Sequence, residues 1–200
     1  MPATETDNSL GGRLALLSPD ELTSDQKKLY NKLDDTLLPW AKKSGFQATT
    51  DDGKLIGPFN PMLRSPKVAV GYLEALDAET KHTTLSEKVR QVIILTVGAV
   101  WNCQYELYAH QAVARQAGFD EATITALSAG QAPGSLSADE RTAQQFTHLL
   151  ASEHRVDEQT YQQAIDTFGE EGVTDMTYLA ANYFMTSALL NVFAVPAPKE

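Results

Sequence analysis

Residues 84–118 read TLSEKVRQVIILTVGAVWNCQYELYAHQAVARQAG, and the reading of this stretch decides the fold. Thr84, Leu85, Ser86 and Glu87 have the pattern of a capping box, in which a hydroxyl and a carboxylate satisfy free backbone amides at a helix start. Val89, Val92, Ile93, Thr96 and Val100 then recur at helical spacing. Apolar side chains lie nearly all round this segment, which predicts a helix at the centre of the fold. A break is expected between residues 98 and 102. Asn102 is expected to cap a second helix that runs from Cys103 to about Ala117 and stops at Gly118.

Outward from this pair the helix signals continue. Leu22, Leu29 and Leu33 predict a helix over residues 24–34. Ser65 and Pro66 open another, with Val68, Tyr72, Leu73 and Leu76 at helical spacing. Asp120 starts a short helix that ends at Gly130, and Ser137 with Glu140 forms a second capping box ahead of Phe146, Leu149 and Leu150. Residues 157–168 form a helix stopped by Gly169, and Thr174 begins a last long helix that ends before Pro196. Between residues 38 and 61 the run of Pro39, Gly45, Gly53, Gly57, Pro58 and Pro61 predicts a long loop. No segment sustains the alternation of a strand. The expected class is all-α, with a disordered arm over residues 1–12 and one helical domain over residues 13–197.

Composition narrows the partners. The chain has 200 residues, 42% hydrophobic, with a net charge of −10. Such a field repels phosphate backbones, so nucleic acid is not an expected partner. Residues 176–195 carry no charge and are long enough to span a bilayer, but Asn182, Thr186, Ser187 and Asn191 interrupt them and no basic cluster flanks them. A buried or subunit-contact helix is expected there, not a membrane span. Cys103 is the single cysteine, so an internal disulfide is impossible. The polar N-terminus lacks the pattern of a signal peptide, and the expected location is cytoplasmic.

The chemistry concentrates on residues 101–110. On a helix, Cys103, Glu106 and His110 fall within an arc of roughly 60°, so a thiol, a carboxylate and an imidazole share one stripe. Glu106 and His110 have the i, i+4 spacing at which side chains touch. A cysteine in the first turn would be favoured as its thiolate by the helix N-terminus. Imidazole is the group best able to move a proton near neutral pH. The competing readings are ordinary ones: a histidine satisfied by its glutamate, and a cysteine that packs as a small hydrophobe. His82 is expected to be exposed. His148 and His154 lack metal-ligand spacing, and no third ligand stands beside Glu106 and His110, so neither a metal nor a cofactor is expected.

The pattern Trp-Asn-x-x-Tyr-Glu-x-x-x-His at residues 101–110, followed by Ala-Arg-x-Ala-Gly at residues 114–118, resembles the carboxymuconolactone decarboxylase family. Gly-Pro-Phe-Asn-Pro-Met at residues 57–62 and the tail over residues 190–196 resemble its longer members. The related alkylhydroperoxidase D-like proteins carry Cys-x-x-Cys-x-x-x-His where this chain has Cys103, Glu106 and His110. A dithiol cycle is therefore excluded here. The family often has a glutamate twelve residues before the first cysteine position, where this chain has Gln91.

The resemblance implies an alkylhydroperoxidase D-like helical fold, a homotrimer or homohexamer, and a small-molecule substrate. It implies a cofactor-free lyase acting on a small carboxylated or lactone-type compound. His110 would be the general acid/base, Glu106 its orienting partner and Cys103 a further catalytic group. Arg90 would hold a substrate carboxylate, and Gln91, Trp101, Tyr105, Phe59 and Asn60 would line the substrate site. The alternatives are a one-cysteine peroxide-reducing protein that uses Cys103, and a helical oligomer that binds a small apolar ligand without chemistry.

Overall fold

A computed structural model describes residues 9–199. Among these residues the chain forms α-helices α1 (Ser24–Asp35), α2 (Leu37–Ser44), α3 (Phe59–Met62), α4 (Pro66–His82), α5 (Glu87–Val100), α6 (Gln104–Gln116), α7 (Glu121–Ser128), α8 (Ala138–Glu153) and α9 (Glu158–Val192). The only strand-like pairing among them is an isolated bridge between Thr49 and Leu55. The all-α expectation is met, and no helix among the described residues is long and apolar enough to cross a membrane.

Helix α5 is the axis of the molecule. Residues 89–98 are all buried, and the helix packs against α6, α7, α8 and α9. On one side Val89, Ile93, Ile94 and Val97 meet Phe146, Met176 and Leu179. On the other Val92 and Leu95 meet Ala114, Ile124 and Leu127. A run so rich in β-branched residues is a mediocre helix by intrinsic preference. Burial on all sides supplies the stability instead, at about 1.5–3 kcal/mol for each large side chain. Leu29, Leu33, Leu55, Ile56, Phe59 and Leu63 build a separate cluster that packs around Cys103 and Tyr105 at the start of α6.

Several local readings change register. Ser86 alone caps α5, accepting from the Val89 amide. Thr84 is occupied elsewhere: its amide and its hydroxyl both donate to Asp175 on α9, at 2.7 and 2.8 Å. Cys103, not Asn102, is the residue that precedes α6. Asn102 adopts φ +49° at the reversal, and the Cys103 amide closes it onto the Gly98 carbonyl at 2.8 Å. The expected long loop contains α2. Pro39 does not prevent this, because it falls in the first turn, where its missing N–H has no partner to lose. Gly169 does stop a helix, as expected: its φ of 69° and ψ of 177° are non-helical, and a second helix follows directly beyond this kink within the span given as α9.

The expected arm lies outside the described residues as far as Asn8. Residues 9–12, assigned to it, are instead held. Leu10 packs against the core, and a side chain on Gly12 would collide with the carbonyls of Phe193 and Ala194. The Arg13 amide then donates to the Phe193 carbonyl at 2.7 Å.

Candidate active site

The stripe anticipated on α6 exists, and the fold buries it. Cys103, Glu106 and His110 are each at most 5% exposed. Three helices converge on it. α6 supplies the stripe, α5 supplies Arg90 and Gln91, and α9 supplies Tyr183 and Ser187. The close approach of α5 to α6 needs Gly98, where an added Cβ would stand 3.0 Å from Leu107. Asn191 of α9 fixes the reversal between α5 and α6, its amide donating to the Trp101 carbonyl at 2.8 Å.

His110 is held on both sides of its ring. Nδ1 lies 2.8 Å from Gln91 Oε1, and Nε2 lies 3.2 Å from the Tyr183 hydroxyl. The Tyr183 ring also meets the imidazole edge-on, with centroids 5.1 Å apart. Glu106 Oε1 is 3.2 Å from the same Nε2, yet it has no aligned hydrogen-bond partner. A buried carboxyl oxygen left in this state is unusual. Trp40 of α2 stands on the outer side of the imidazole, with ring centroids 6.3 Å apart, and is itself 39% exposed.

Burial decides the protonation of the pair. Desolvation pushes the Glu106 carboxyl up to about 8. Desolvation, helped by the Arg90 charge, pushes His110 down to about 3. Both shifts disfavour charge, so at neutral pH the site holds a neutral carboxylic acid beside a neutral imidazole. This reverses the expected roles, in which His110 is the acid/base and Glu106 its orienting partner. The buried group that titrates close to neutrality is Glu106.

Cys103 is also reversed. Burial foremost, and then the Glu106 charge, push its thiol up to about 11, outweighing the opposing pull of the Glu106 backbone amide and the Ser187 hydroxyl. As the residue before the helix, buried to 1% exposure, it gains less from the helix end than it loses in hydration.

The expected lining residues divide into two groups. Gln91 belongs to the site, but it holds the imidazole. Arg90 is close enough to act on His110 electrostatically, but it is not free to clamp a substrate carboxylate. Its guanidinium is paired in the protein interior with Glu79, donates to Thr80 at 3.3 Å and lies 3.7 Å from Glu87. Tyr105, Phe59 and Asn60 pack together in the N-terminal cluster. The Tyr105 hydroxyl donates to the Gln47 carbonyl at 2.6 Å, and its ring fills the space over Gly57, where φ is +60° and any side chain would collide. Asn60 donates to the Ala15 carbonyl at 3.4 Å. Trp101 stacks on Phe184 at 5.8 Å, at the edge of the α5–α8–α9 cluster.

Tyr183, Tyr72 and Trp40 were not singled out from the sequence. Tyr72 sits in the same polar interior, its hydroxyl 2.6 Å from Thr186 and donating to the Asn182 carbonyl. One signal did exist. An uncharged run such as residues 176–195, carrying Asn182, Tyr183, Thr186 and Ser187, must satisfy those groups internally wherever it is buried. A surface cavity of about 280 Å³, lined by Gly130, Ala132, Gln144, Gln145, His148 and Leu149, includes none of the expected site residues. No cluster of three or more histidine, cysteine, aspartate or glutamate side chains suited to a metal occurs among the described residues.

Residues 66–148 match the model of the Carboxymuconolactone decarboxylase family. No curated protein sequence matches the chain. Among solved structures, an uncharacterized peroxidase-related protein from Silicibacter sp. TM1040 superposes with a TM-score of 0.73 at 16% identity, over 97% of this chain and 95% of that one. An alkylhydroperoxidase AhpD core from Ralstonia eutropha JMP134 gives 0.72 at 15% identity, over 94% and 92% of the two chains. A variant of the debrominase Bmp8 in complex with 2,3,4-tribromopyrrole gives 0.68 at 13% identity, over 97% and 94%. At these identities the likeness is one of fold.

Proposed function

We propose that this chain, whose residues 66–148 match the Carboxymuconolactone decarboxylase family, is a cofactor-free lyase that protonates carbon with Glu106. The observation that carries this reading is the buried neutral acid: a carboxyl pushed up to about 8, with an unpartnered oxygen 3.2 Å from a neutral imidazole. An acid that still holds its proton at neutral pH is what a carbanion intermediate requires.

The substrate class is a small organic acid whose carboxylate stands next to a carbonyl or lactone. The bond from carbon to the carboxylate breaks and carbon dioxide leaves. The electron pair passes into the neighbouring carbonyl as an enolate, and the Glu106 proton closes the new C–H bond. His110 keeps the acid oriented, and bulk water restores the proton. With Arg90 engaged by Glu79, no free guanidinium meets the substrate carboxylate, and the apolar surroundings favour loss of its charge.

A one-cysteine redox reaction needs a thiolate, and Cys103 is held as a thiol by the same burial that protonates Glu106. The debrominase complex belongs to that protein and gives this chain no substrate. Beyond Asp175 the outer face of α9 is uncharged, and there Tyr178 is 64% and Val192 56% exposed, which supports self-association. Sizing by light scattering at micromolar concentration tests that, and a clean monomer would remove it.

The test of the reaction uses a panel of small lactone and β-keto acids in heavy water, read by carbon dioxide release and by deuterium at the product carbon. Glu106→Gln should lose about 10²- to 10⁴-fold in rate. Cys103→Ala should retain most of it. Full activity in Glu106→Gln, or complete loss in a folded Cys103→Ala, would sink this assignment.

A further inference from the structure

Glu87 is the first residue of α5, and its side chain is 56% exposed. An acidic group there needs no special reason, because a helix N-terminus favours negative charge. Its contacts are more particular than that. Glu87 Oε1 accepts from Gln91 Nε2 at 2.8 Å, one turn further in. Gln91 Oε1 in turn lies 2.8 Å from His110 Nδ1. His110 Nε2 lies 3.2 Å from the Tyr183 hydroxyl. A continuous chain therefore runs from solvent to the buried imidazole.

The direction of that chain is fixed at its outer end. The two ends of an amide side chain are told apart only by their partners. An ionised carboxylate can only accept, so the end of Gln91 that faces Glu87 must be its NH₂. The carbonyl end then faces His110 and can only accept. His110 Nδ1 must therefore carry the proton. In a neutral ring, Nε2 is then the acceptor, and the Tyr183 hydroxyl donates to it. Each step follows from the one before, and the first depends on Glu87 alone.

We infer that Glu87 is a positioning residue that, through the orientation of the Gln91 amide, holds His110 in the Nδ1–H tautomer and so points the Nε2 lone pair at Glu106 and Tyr183. This deepens the proton-transfer reading given above and rests on it for its functional consequence. The structural part stands on hydrogen-bond polarity alone. Gln91 is then not a lost glutamate. It is an amide that passes on the polarity of a carboxylate one turn nearer the surface.

The experiment is ¹⁵N NMR of histidine-labelled full-length protein, which distinguishes protonated from bare ring nitrogens. The wild type should show His110 with Nδ1 protonated and Nε2 bare. In Glu87→Lys the ammonium offers donors to Gln91, the amide turns over, and the proton should move to Nε2. Glu87→Gln can still present a carbonyl to Gln91 and should keep the wild-type tautomer. Glu87→Ala removes the acceptor without a new donor and should give a mixture, which serves where the lysine variant does not fold. Turnover should fall about 10- to 100-fold in Glu87→Lys, as it does when outer partners of functional histidines are lost. It should recover in Glu87→Gln.

A folded Glu87→Lys protein that retains the Nδ1–H tautomer overturns the inference, as does a wild type with Nε2 protonated. The NMR result does not depend on turnover. A tautomer that moves as described, in a protein that fails to protonate carbon, would leave this inference standing and remove the lyase reading instead.

Discussion

Arg90 with Glu79 forms one buried acid–base pair of this core, and His110 with Glu106 forms another. The pairs share a polar interior, and the side chains of both are less than 10% exposed. Guanidinium cannot release its proton, so the first pair stays ionic wherever it is placed. Imidazole can, and the same loss of water that the first pair tolerates discharges the second. Equal burial thus gives an ion pair in one place and two neutral groups a few residues away. The identity of the base decides which, and only the neutral pair has a proton to give at neutral pH.

The largest effect should come from removing one acid from each pair. Glu79→Gln leaves a buried guanidinium without its carboxylate, and such breaks cost about 3–5 kcal/mol. Glu106→Gln removes a neutral acid from beside a neutral ring, and the cost should be nearer that of a single hydrogen bond, about 1 kcal/mol. Urea unfolding of both variants at pH 7 measures the difference. Equal destabilisation would mean that both pairs are ionic, and the contrast would collapse.

The pH dependence of stability is the next effect. The folded protein holds a proton on Glu106 up to about pH 8, whereas an ordinary glutamate releases it near 4.5. Rising pH through that window therefore favours the unfolded chain. His110 acts in the opposite sense lower down: an ordinary histidine takes up its proton near 6.5, while the folded protein resists until about 3. Stability should climb from pH 3 to about 4.5, stay level to about 6.5 where the two slopes cancel, and then fall towards pH 8. The slope of a single proton is about 1.4 kcal/mol per pH unit. Glu106→Gln should flatten the alkaline limb and let the climb continue to about pH 6.5, whereas His110→Gln should flatten the acid limb and let the fall begin near 4.5. An alkaline limb that survives in Glu106→Gln would assign it to another group.

What the sequence revealed of this contrast follows the range of the contacts. The Glu106–His110 pair was legible because helical spacing by itself brings residues four apart together. The Ser137 capping box was legible for the same reason, and both of its hydrogen bonds form. Arg90 found its acid eleven residues earlier, on a different helix, across a crossing that no local pattern specifies. Its expected role failed with that. The cap of α6 was misplaced by one residue because Asn102 is also suited to the left-handed turn it actually makes. The charge states of Cys103, Glu106 and His110 were not legible at all. They depend on how much water α9 and α2 exclude, and sequence spacing carries no measure of that.

The smallest effect tests the direction of the hydrogen bond on which the neutral pair depends. Tyr183→Phe keeps the ring that meets the imidazole edge-on and removes only the hydroxyl 3.2 Å from Nε2. The loss in stability should be about 0.5–1.5 kcal/mol, the worth of one such bond. Its effect on His110 is more informative than its size. If the hydroxyl donates to a bare Nε2, it stabilises the neutral ring, and removing it should make His110 easier to protonate. The acid limb of the stability curve would then move to higher pH. If the hydroxyl instead accepts from a protonated Nε2, it can also serve the charged ring, and its removal should move the limb to lower pH. Unfolding measured from pH 3 to 6 in the wild type and the phenylalanine variant separates the two. A downward shift would place the resting proton on the wrong nitrogen for Glu106 to act as the acid, and the contrast between the ionic and the neutral pair would lose its catalytic meaning.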